Sequence, residues 1–123
     1  MAVKGIGIDA VDIERFRTSL LRTPTMRERL FTASELAYVA PKLDPVPSLA
    51  ARFAAREAVM KAMGLGLGAF GFHEVWVDRA ESGVPTLAIT GRALELAVDR
   101  GITSWHLSIT HTDIVAIASV IAE

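Results

Sequence analysis

Near its C-terminal end the chain alternates strictly. Trp105, Leu107 and Ile109 fall on one side of an extended backbone, and Ser104, His106, Ser108 and Thr110 fall on the other. A period of two predicts a half-buried strand. A turn at Thr112-Asp113 leads from it into a second strand, Ile114–Ala122. At the other end, Val3–Asp9 (VKGIGID) reads as a strand whose two glycines allow another backbone to approach closely. His73–Arg79 and Val84–Thr90 flank Glu81-Ser82-Gly83 and predict a hairpin.

Helical signals fill the space between these strands. Asp12 is placed to cap a helix running to about Thr23, with Pro24 marking the break. A short helical segment, Pro24–Leu30, follows, and Thr32-Ala33-Ser34-Glu35 is a capping box opening the next helix. Pro41, Pro45 and Pro47 predict a loop. The strongest helical stretch is Ser48–Met63 (SLAARFAAREAVMKAM), with Gly64 as its C′ residue and the glycine-rich loop Gly64–Gly71 beyond it. Arg92–Arg100 is amphipathic and stops at Gly101. The resulting order, β-α-α-α-β-β-α-β-β, contains no run of βαβ units. It predicts an α+β fold in which a mostly antiparallel sheet packs against a long central helix.

The length of 123 residues suits one domain, 1–123. A hydrophobic share of 51% against 22% charged residues excludes a disordered tail. The absence of cysteine removes disulfide scaffolds, zinc ribbons, thiol nucleophiles and iron–sulfur clusters, and suits a reducing compartment. No apolar run approaches the ~20 residues of a membrane span. Met1-Ala2-Val3-Lys4-Gly5 lacks the layout of a signal peptide. The expectation is a cytoplasmic protein with no membrane partner.

The net charge of −1 conceals an asymmetry: Arg15 to Lys61 holds nine basic residues against four acidic ones. Such a segment is either a solvated face or a surface for something anionic, such as a phosphate-bearing ligand or an acidic protein. Nucleic acid is not expected, because the domain as a whole is not basic.

On the Ser48–Met63 helix, Arg52, Arg56, Glu57 and Lys61 fall within one half of the circumference. The other half is filled by Ala51, Ala54, Ala55, Ala58, Val59 and Ala62, which would let a neighbouring backbone come close. Glu57 and Lys61 are spaced for an i,i+4 salt bridge. Alternatively, Glu57 ligates a hard cation and Lys61 holds a phosphate beside it, which requires a second carboxylate. Asp9, at the exit of an apolar strand, is the candidate. Mg²⁺ is commonly held by one or two carboxylates together with substrate phosphates. Other motifs fail. Gly64-x-Gly66-x-Gly68 follows a helix, which excludes a dinucleotide-binding turn or a P-loop. His73, His106 and His111 lack metal-ligand spacing, and Ser108 is out of phase with His111 on the strand.

At these residues the chain resembles a known family. Gly5-Ile6-Gly7-Ile8-Asp9-Ala10-Val11-Asp12-Ile13-Glu14-Arg15 is similar to the N-terminal motif of the holo-acyl-carrier-protein synthases, the small 4′-phosphopantetheinyl transferases. Phe31-Thr32-Ala33-Ser34-Glu35-Leu36 resembles their second motif, and Arg52–Gly64 (RFAAREAVMKAMG) their helix signature. Ser82-Gly83-Val84-Pro85 and Ser108-Ile109-Thr110-His111-Thr112 match the later two, so the motifs run in order across nearly the whole chain.

The resemblance implies an enzyme that moves the 4′-phosphopantetheine arm of coenzyme A onto a serine of apo-acyl carrier protein, releases adenosine 3′,5′-bisphosphate and serves fatty-acid biosynthesis. It implies Mg²⁺ at Asp9 and Glu57, and a phosphate-holding, catalytic role for Lys61, with Gly64 beside the coenzyme. It also implies a homotrimer with sites at subunit junctions, so that Pro85, His111 and Thr112 lie near the nucleotide. Arg15 falls where the family meets its acidic carrier, and Arg22, seven residues on, shares its helix face. Arg52 serves either that surface or the coenzyme. A mean hydropathy of +0.38 and an alanine-rich helix agree with an assembly that hides apolar surface. Arg56 stands where the family usually has lysine, and Val84 replaces another common lysine. The acceptor serine's proton goes to Glu57 or to a water on the metal. Readings from other classes are a non-catalytic module binding coenzyme A or carrier, a metal-dependent phosphohydrolase using the same ligands, and a purely structural trimer.

Overall fold

Gly5 and Gly7 lie directly against the long central helix, and their missing side chains decide how the fold closes. In the computed structural model, which describes residues 2–123, a Cβ added to Gly5 would stand 1.8 Å from the carbonyl oxygen of Ala62. One added to Gly7 would stand 1.8 Å from that of Ala58. The strand carrying these glycines, β1, runs from Gly5 to Asp12, and the helix, α4, from Val46 to Ala62. Strand and helix therefore touch backbone to backbone, as the glycines and alanines predict.

Three short helices lie between them: α1 (Ile13–Arg22), α2 (Met26–Leu30) and α3 (Ala33–Val39). After α4 come a 3-10 turn at Phe72–Glu74, strands β2 (Val75–Arg79) and β3 (Pro85–Ile89), helix α5 (Gly91–Asp99), and strands β4 (Trp105–His111) and β5 (Val115–Ala122). The fold is α+β, as expected. Strands β1, β5 and β4 form an antiparallel sheet in that order, and β2 and β3 form a separate hairpin.

Several expectations hold at the level of single atoms. The Asp12 side chain caps α1 by accepting from the Arg15 N–H at 2.9 Å. Thr32 and Glu35 complete the reciprocal capping box of α3. Gly64 follows α4 with φ +72°, the left-handed backbone that glycine adopts at little cost.

Other expectations need correction. Four helices precede the hairpin, one more than the predicted order. Strand β1 continues to Asp12, so Asp9 lies mid-strand opposite Ala118 rather than at an exit. Helix α4 begins at Val46, because Pro47 occupies its first turn, where no N–H partner is lost. The segment before β2 forms a turn rather than strand, since Glu74 bonds back to the Gly71 N–H and onward to the Arg92 N–H at the start of α5.

Helix α4 is enclosed on nearly every side. Its alanines at 54, 58 and 62 pack with Ala118, Val120 and Ala122 of β5, while Leu49, Ala50 and Ala51 pack with Ile13, Phe16 and Phe31. The expected polar half does not face water: Arg52 is 2% exposed and Arg56 is fully buried. Of the four polar residues on that half, Glu57 is half-buried and only Lys61 is exposed.

Because the Gly7 clash is with backbone, no side chain can move aside to relieve it. Gly7→Ala should lower unfolding free energy by about 3 kcal/mol or more, or prevent soluble expression. Gly66→Ala, in open space, should stay within about 1 kcal/mol of the parent. Urea denaturation of both variants checks the contrast.

Candidate active site

The glycine contacts that press β1 onto α4 also bring Asp9 beside Lys61, one turn from Glu57. The Lys61 ammonium donates to the Asp9 carboxylate and to the Ile8 carbonyl oxygen, each at 3.0 Å. The i,i+4 salt bridge with Glu57 is not formed, because Lys61 reaches across to the strand instead. Glu57 is left without a side-chain hydrogen bond or ion pair among the described residues. Its carboxyl is raised above its usual value, first by desolvation and then by the charge of Asp9, against the opposing pull of Lys61. The two carboxylates line a depression of about 290 Å³ together with Asp12, Arg15, Phe16 and Phe53.

A carboxylate whose ionisation is disfavoured by a neighbouring carboxylate forms with it a donor set that a divalent cation would relieve. Among the described residues no three His, Cys, Asp or Glu side chains gather at one point. A cation at Asp9 and Glu57 would therefore draw its remaining ligands from water and phosphate, which suits Mg²⁺.

The other candidate residues divide between separate surfaces. Lys61 and Gly64 also line a depression of about 520 Å³ with Lys4 and Arg100. His111 lines a third, of about 200 Å³, with Lys42, Ser48, Arg52, Arg79 and Thr110. This third depression shares no lining residue with the one holding Asp9 and Glu57. Thr112 sits at the β4–β5 turn, where its hydroxyl accepts from the N–H groups of Ile114 and Val115. Pro85 opens β3 opposite Arg79. Arg15 and Arg22 line one shallow face with Asp12 and Glu14, and neither has an ion-pair partner among the described residues. Arg17, between them, is neutralised by a bidentate pair with Asp44 at 2.9 and 2.8 Å.

Sequence reasoning missed the ion pair beneath this surface. Arg56 donates from Nη2 and Nη1 to the two Glu35 carboxylate oxygens at 2.5 and 3.0 Å, and from Nε to the Phe72 carbonyl oxygen at 2.8 Å. Glu35 also accepts from the N–H groups of Thr32 and Val77 at 3.0 and 3.1 Å. Both side chains are wholly buried. The capping box accounted for Glu35 as a helix cap, which hid its second role. Lys42 and Arg79 were also missed, since nothing in their spacing joins a loop lysine to a hairpin arginine.

This arrangement has clear relatives. Residues 5–117 match the 4′-phosphopantetheinyl transferase superfamily. The holo-[acyl-carrier-protein] synthase of Micrococcus luteus is 46% identical over 98% of this chain and 92% of its own length. The chain belongs to the 4′-phosphopantetheinyl transferase superfamily, among its holo-[acyl-carrier-protein] synthases. The crystal structure of the synthase from Neisseria meningitidis superposes with a TM-score of 0.90 at 30% identity, covering 99% of each chain. That of the Helicobacter pylori synthase, solved in complex with coenzyme A, gives 0.83 at 29% identity over 96% of this chain and 99% of that one. Among the synthases, then, this chain has an arginine at position 56 that is clamped by Glu35 with planar, two-point geometry.

Removing one partner of a buried pair strands the other as an uncompensated charge. Arg56→Met should cost about 3–5 kcal/mol of stability in urea denaturation. Combining it with Glu35→Leu should recover only part of that loss, because the buried Val77 N–H then has no acceptor.

Proposed function

We propose that the chain transfers the 4′-phosphopantetheine arm of coenzyme A to a serine hydroxyl of apo-acyl carrier protein, with Mg²⁺, releasing adenosine 3′,5′-bisphosphate. The observation that carries this reading is the cluster of Asp9, Glu57 and Lys61, set within a chain that matches the synthases along nearly its full length. Asp9 and Glu57 would hold the metal, which when bound would neutralise charge on the pyrophosphate. Lys61, already poised between Asp9 and the Ile8 carbonyl, turns its ammonium to a phosphate oxygen. The serine oxygen bonds to the phosphorus that bears the pantetheine arm. The bond from that phosphorus to the bridging oxygen breaks, and its electron pair leaves with the bisphosphate. Asp12 is committed to capping α1, so the serine proton would pass to Glu57 or to a water at this cluster.

The active form is a homotrimer with its sites at subunit junctions. Two features favour this. The Lys42–Arg52–Arg79–His111 depression is cationic yet separate from the metal carboxylates, as expected if one subunit supplies the metal and a neighbour, through these residues with Pro85 and Thr112, receives the nucleotide. The outer face of the β1–β5–β4 sheet also leaves Ile6 and Ile8 66% and 60% exposed, with Ile121 paired beside Ile6, an apolar surface suited to another copy of the chain. The setting is cytoplasmic and the product feeds fatty-acid biosynthesis, on the family's pattern. No helix among the described residues is long and apolar enough to cross a membrane.

Incubating the protein with apo-carrier, coenzyme A and Mg²⁺ should add one phosphopantetheine group to the carrier's intact mass. Asp9→Ala and Glu57→Gln should each remove most of this activity while circular dichroism stays unchanged. Lys61→Ala should retain more. Phosphate release without carrier modification would instead indicate a hydrolase, and near-parental kcat for Glu57→Gln at saturating Mg²⁺ would reject the metal assignment.

Carrier docking falls to Arg15 and Arg22, the unpaired arginines beside the metal depression, acting on an acidic partner. Exposed charges of this kind act mainly on association and are screened by salt. Arg15→Glu with Arg22→Glu should raise the carrier KM several-fold at low salt, flatten its salt dependence and change the coenzyme A KM far less. Steady-state kinetics at two salt concentrations, varying each substrate in turn, reads all three.

A further inference from the structure

Three cations from three elements converge on a single aromatic ring. The guanidinium carbons of Arg52 (α4) and Arg79 (the end of β2) lie 4.7 and 4.8 Å from the Tyr38 ring centroid. The Lys42 ammonium, from the loop after α3, lies 5.2 Å away. None of the three has a carboxylate within ion-pair distance among the described residues, although Asp78 and the Arg56-paired Glu35 line the same depression as Tyr38. Arg79 is tied only to the Gly83 carbonyl oxygen, and Arg52 only to that of Ser48. The Arg52 Nε is buried and without a hydrogen-bond partner.

Clustered like charges repel, and a purely structural site would be expected to include a counter-ion. What holds these cations together is the electron-rich face of the ring. Arg52 and Arg79 present themselves to two depressions at once. On one side they meet Tyr38, and on the other they line the cavity of about 200 Å³ with Lys42 and His111, which Tyr38 does not touch. The tyrosine therefore stands behind the arginines, supporting them and leaving the cavity open.

We propose that Tyr38 is a specificity-determining positioning residue, whose ring holds Arg52 and Arg79 as the seat for the 3′-phosphate of coenzyme A. This rests on the transferase reading above. The pyrophosphate is assigned to Asp9, Glu57 and Lys61, and the coenzyme has one other phosphate, a monoester carrying ≈ −1.5 to −2 charge at neutral pH. That group matches a seat with three cations that lack an ion-pair partner and one orphaned donor. Tyr38 does not touch it, so its contribution is transmitted through the arginines. Among the described residues the Tyr38 hydroxyl makes no hydrogen bond, so the ring alone carries the effect.

The test compares coenzyme A with 3′-dephospho-coenzyme A as donors, at saturating carrier, for the parent, Tyr38→Leu, Tyr38→Phe and Arg79→Gln. Tyr38→Leu should raise the coenzyme A KM about tenfold, as losing cation–π support for the buried Arg52 and the exposed Arg79 implies. Its kcat for coenzyme A and its KM for the dephospho donor should stay within twofold of the parent. Arg79→Gln should show the same selectivity, and Tyr38→Phe should behave as the parent. The proposal is overturned if Tyr38→Leu weakens both donors equally or unfolds, since the ring is then only packing. It is also overturned if the carrier KM rises in place of the coenzyme KM, because the cations then serve the protein partner. A parent enzyme that modifies carrier with neither donor would reject the transferase reading itself, a result separable from every outcome for Tyr38.

Discussion

The structure depends on one close approach, the backbone of β1 lying on the backbone of α4. Gly5 and Gly7 leave no room for even a methyl group against the carbonyls of Ala62 and Ala58. On the helix side, only alanine is small enough at the positions that face the sheet, and Ala54, Ala58 and Ala62 are all essentially buried there. The chemical consequence lies two residues beyond Gly7. Asp9 is delivered to the side of α4 within reach of Lys61, next to Glu57. A larger residue at position 7 would displace the carboxylate as surely as it would strain the core. Fold and site thus share a single constraint.

A second interaction fixes how α4 is turned. Arg56, buried among apolar side chains, is held at four points by Glu35, the Phe72 carbonyl and the Arg52 carbonyl. Glu35 in turn holds the start of α3 and the Val77 N–H of the hairpin. A buried ion pair contributes little net stability relative to a well-packed apolar substitute, but it tolerates few alternative geometries. Here that intolerance is useful. Arg56 lies between Arg52 and Glu57, so locking its direction sets Arg52 toward the cationic depression and Glu57 toward Asp9.

How far the sequence was legible depended on the range of the interaction. Asp12 as a cap, the Thr32–Glu35 box, Gly64 after α4 and the alternation from Trp105 to Ile109 are local patterns, and the structure agrees with each. The pairing of Asp9 with the α4 site was also readable, because an acid in a glycine-rich apolar strand calls for a partner. The same logic misjudged Lys61, since helix periodicity offers Glu57 while the tertiary contact supplies Asp9. Periodicity likewise put Arg52 and Arg56 on a polar face, yet both are buried, because their counterparts Glu35 and Tyr38 come from a different helix. Long polar side chains declare their partners only in three dimensions. Pro47 misled for the opposite reason: a proline signals a break in a helix interior but is accommodated in a first turn.

The uneven charge of the chain is resolved differently at each end of α4. Arg17 is matched by Asp44, Arg56 by Glu35 and Lys61 by Asp9, so these cations are balanced within the fold. Arg52, Arg79 and Lys42 have no ion-pair partner, and the burial of Arg52, with the neighbouring charges of Arg79 and Arg56 and against the opposing charge of Glu35, pulls its guanidinium below its usual proton affinity. Such a cluster is electrostatically frustrated in the isolated chain, and so, with the opposite sign, is Glu57 beside Asp9. The two depressions have no lining residue in common. Under the proposed transfer reaction, a polyanionic ligand carrying a cation would satisfy both, the cation at the acids and the far phosphate at the arginines. The two unbalanced surfaces would then be the two poles of a single binding problem, which the proposed subunit junction would close.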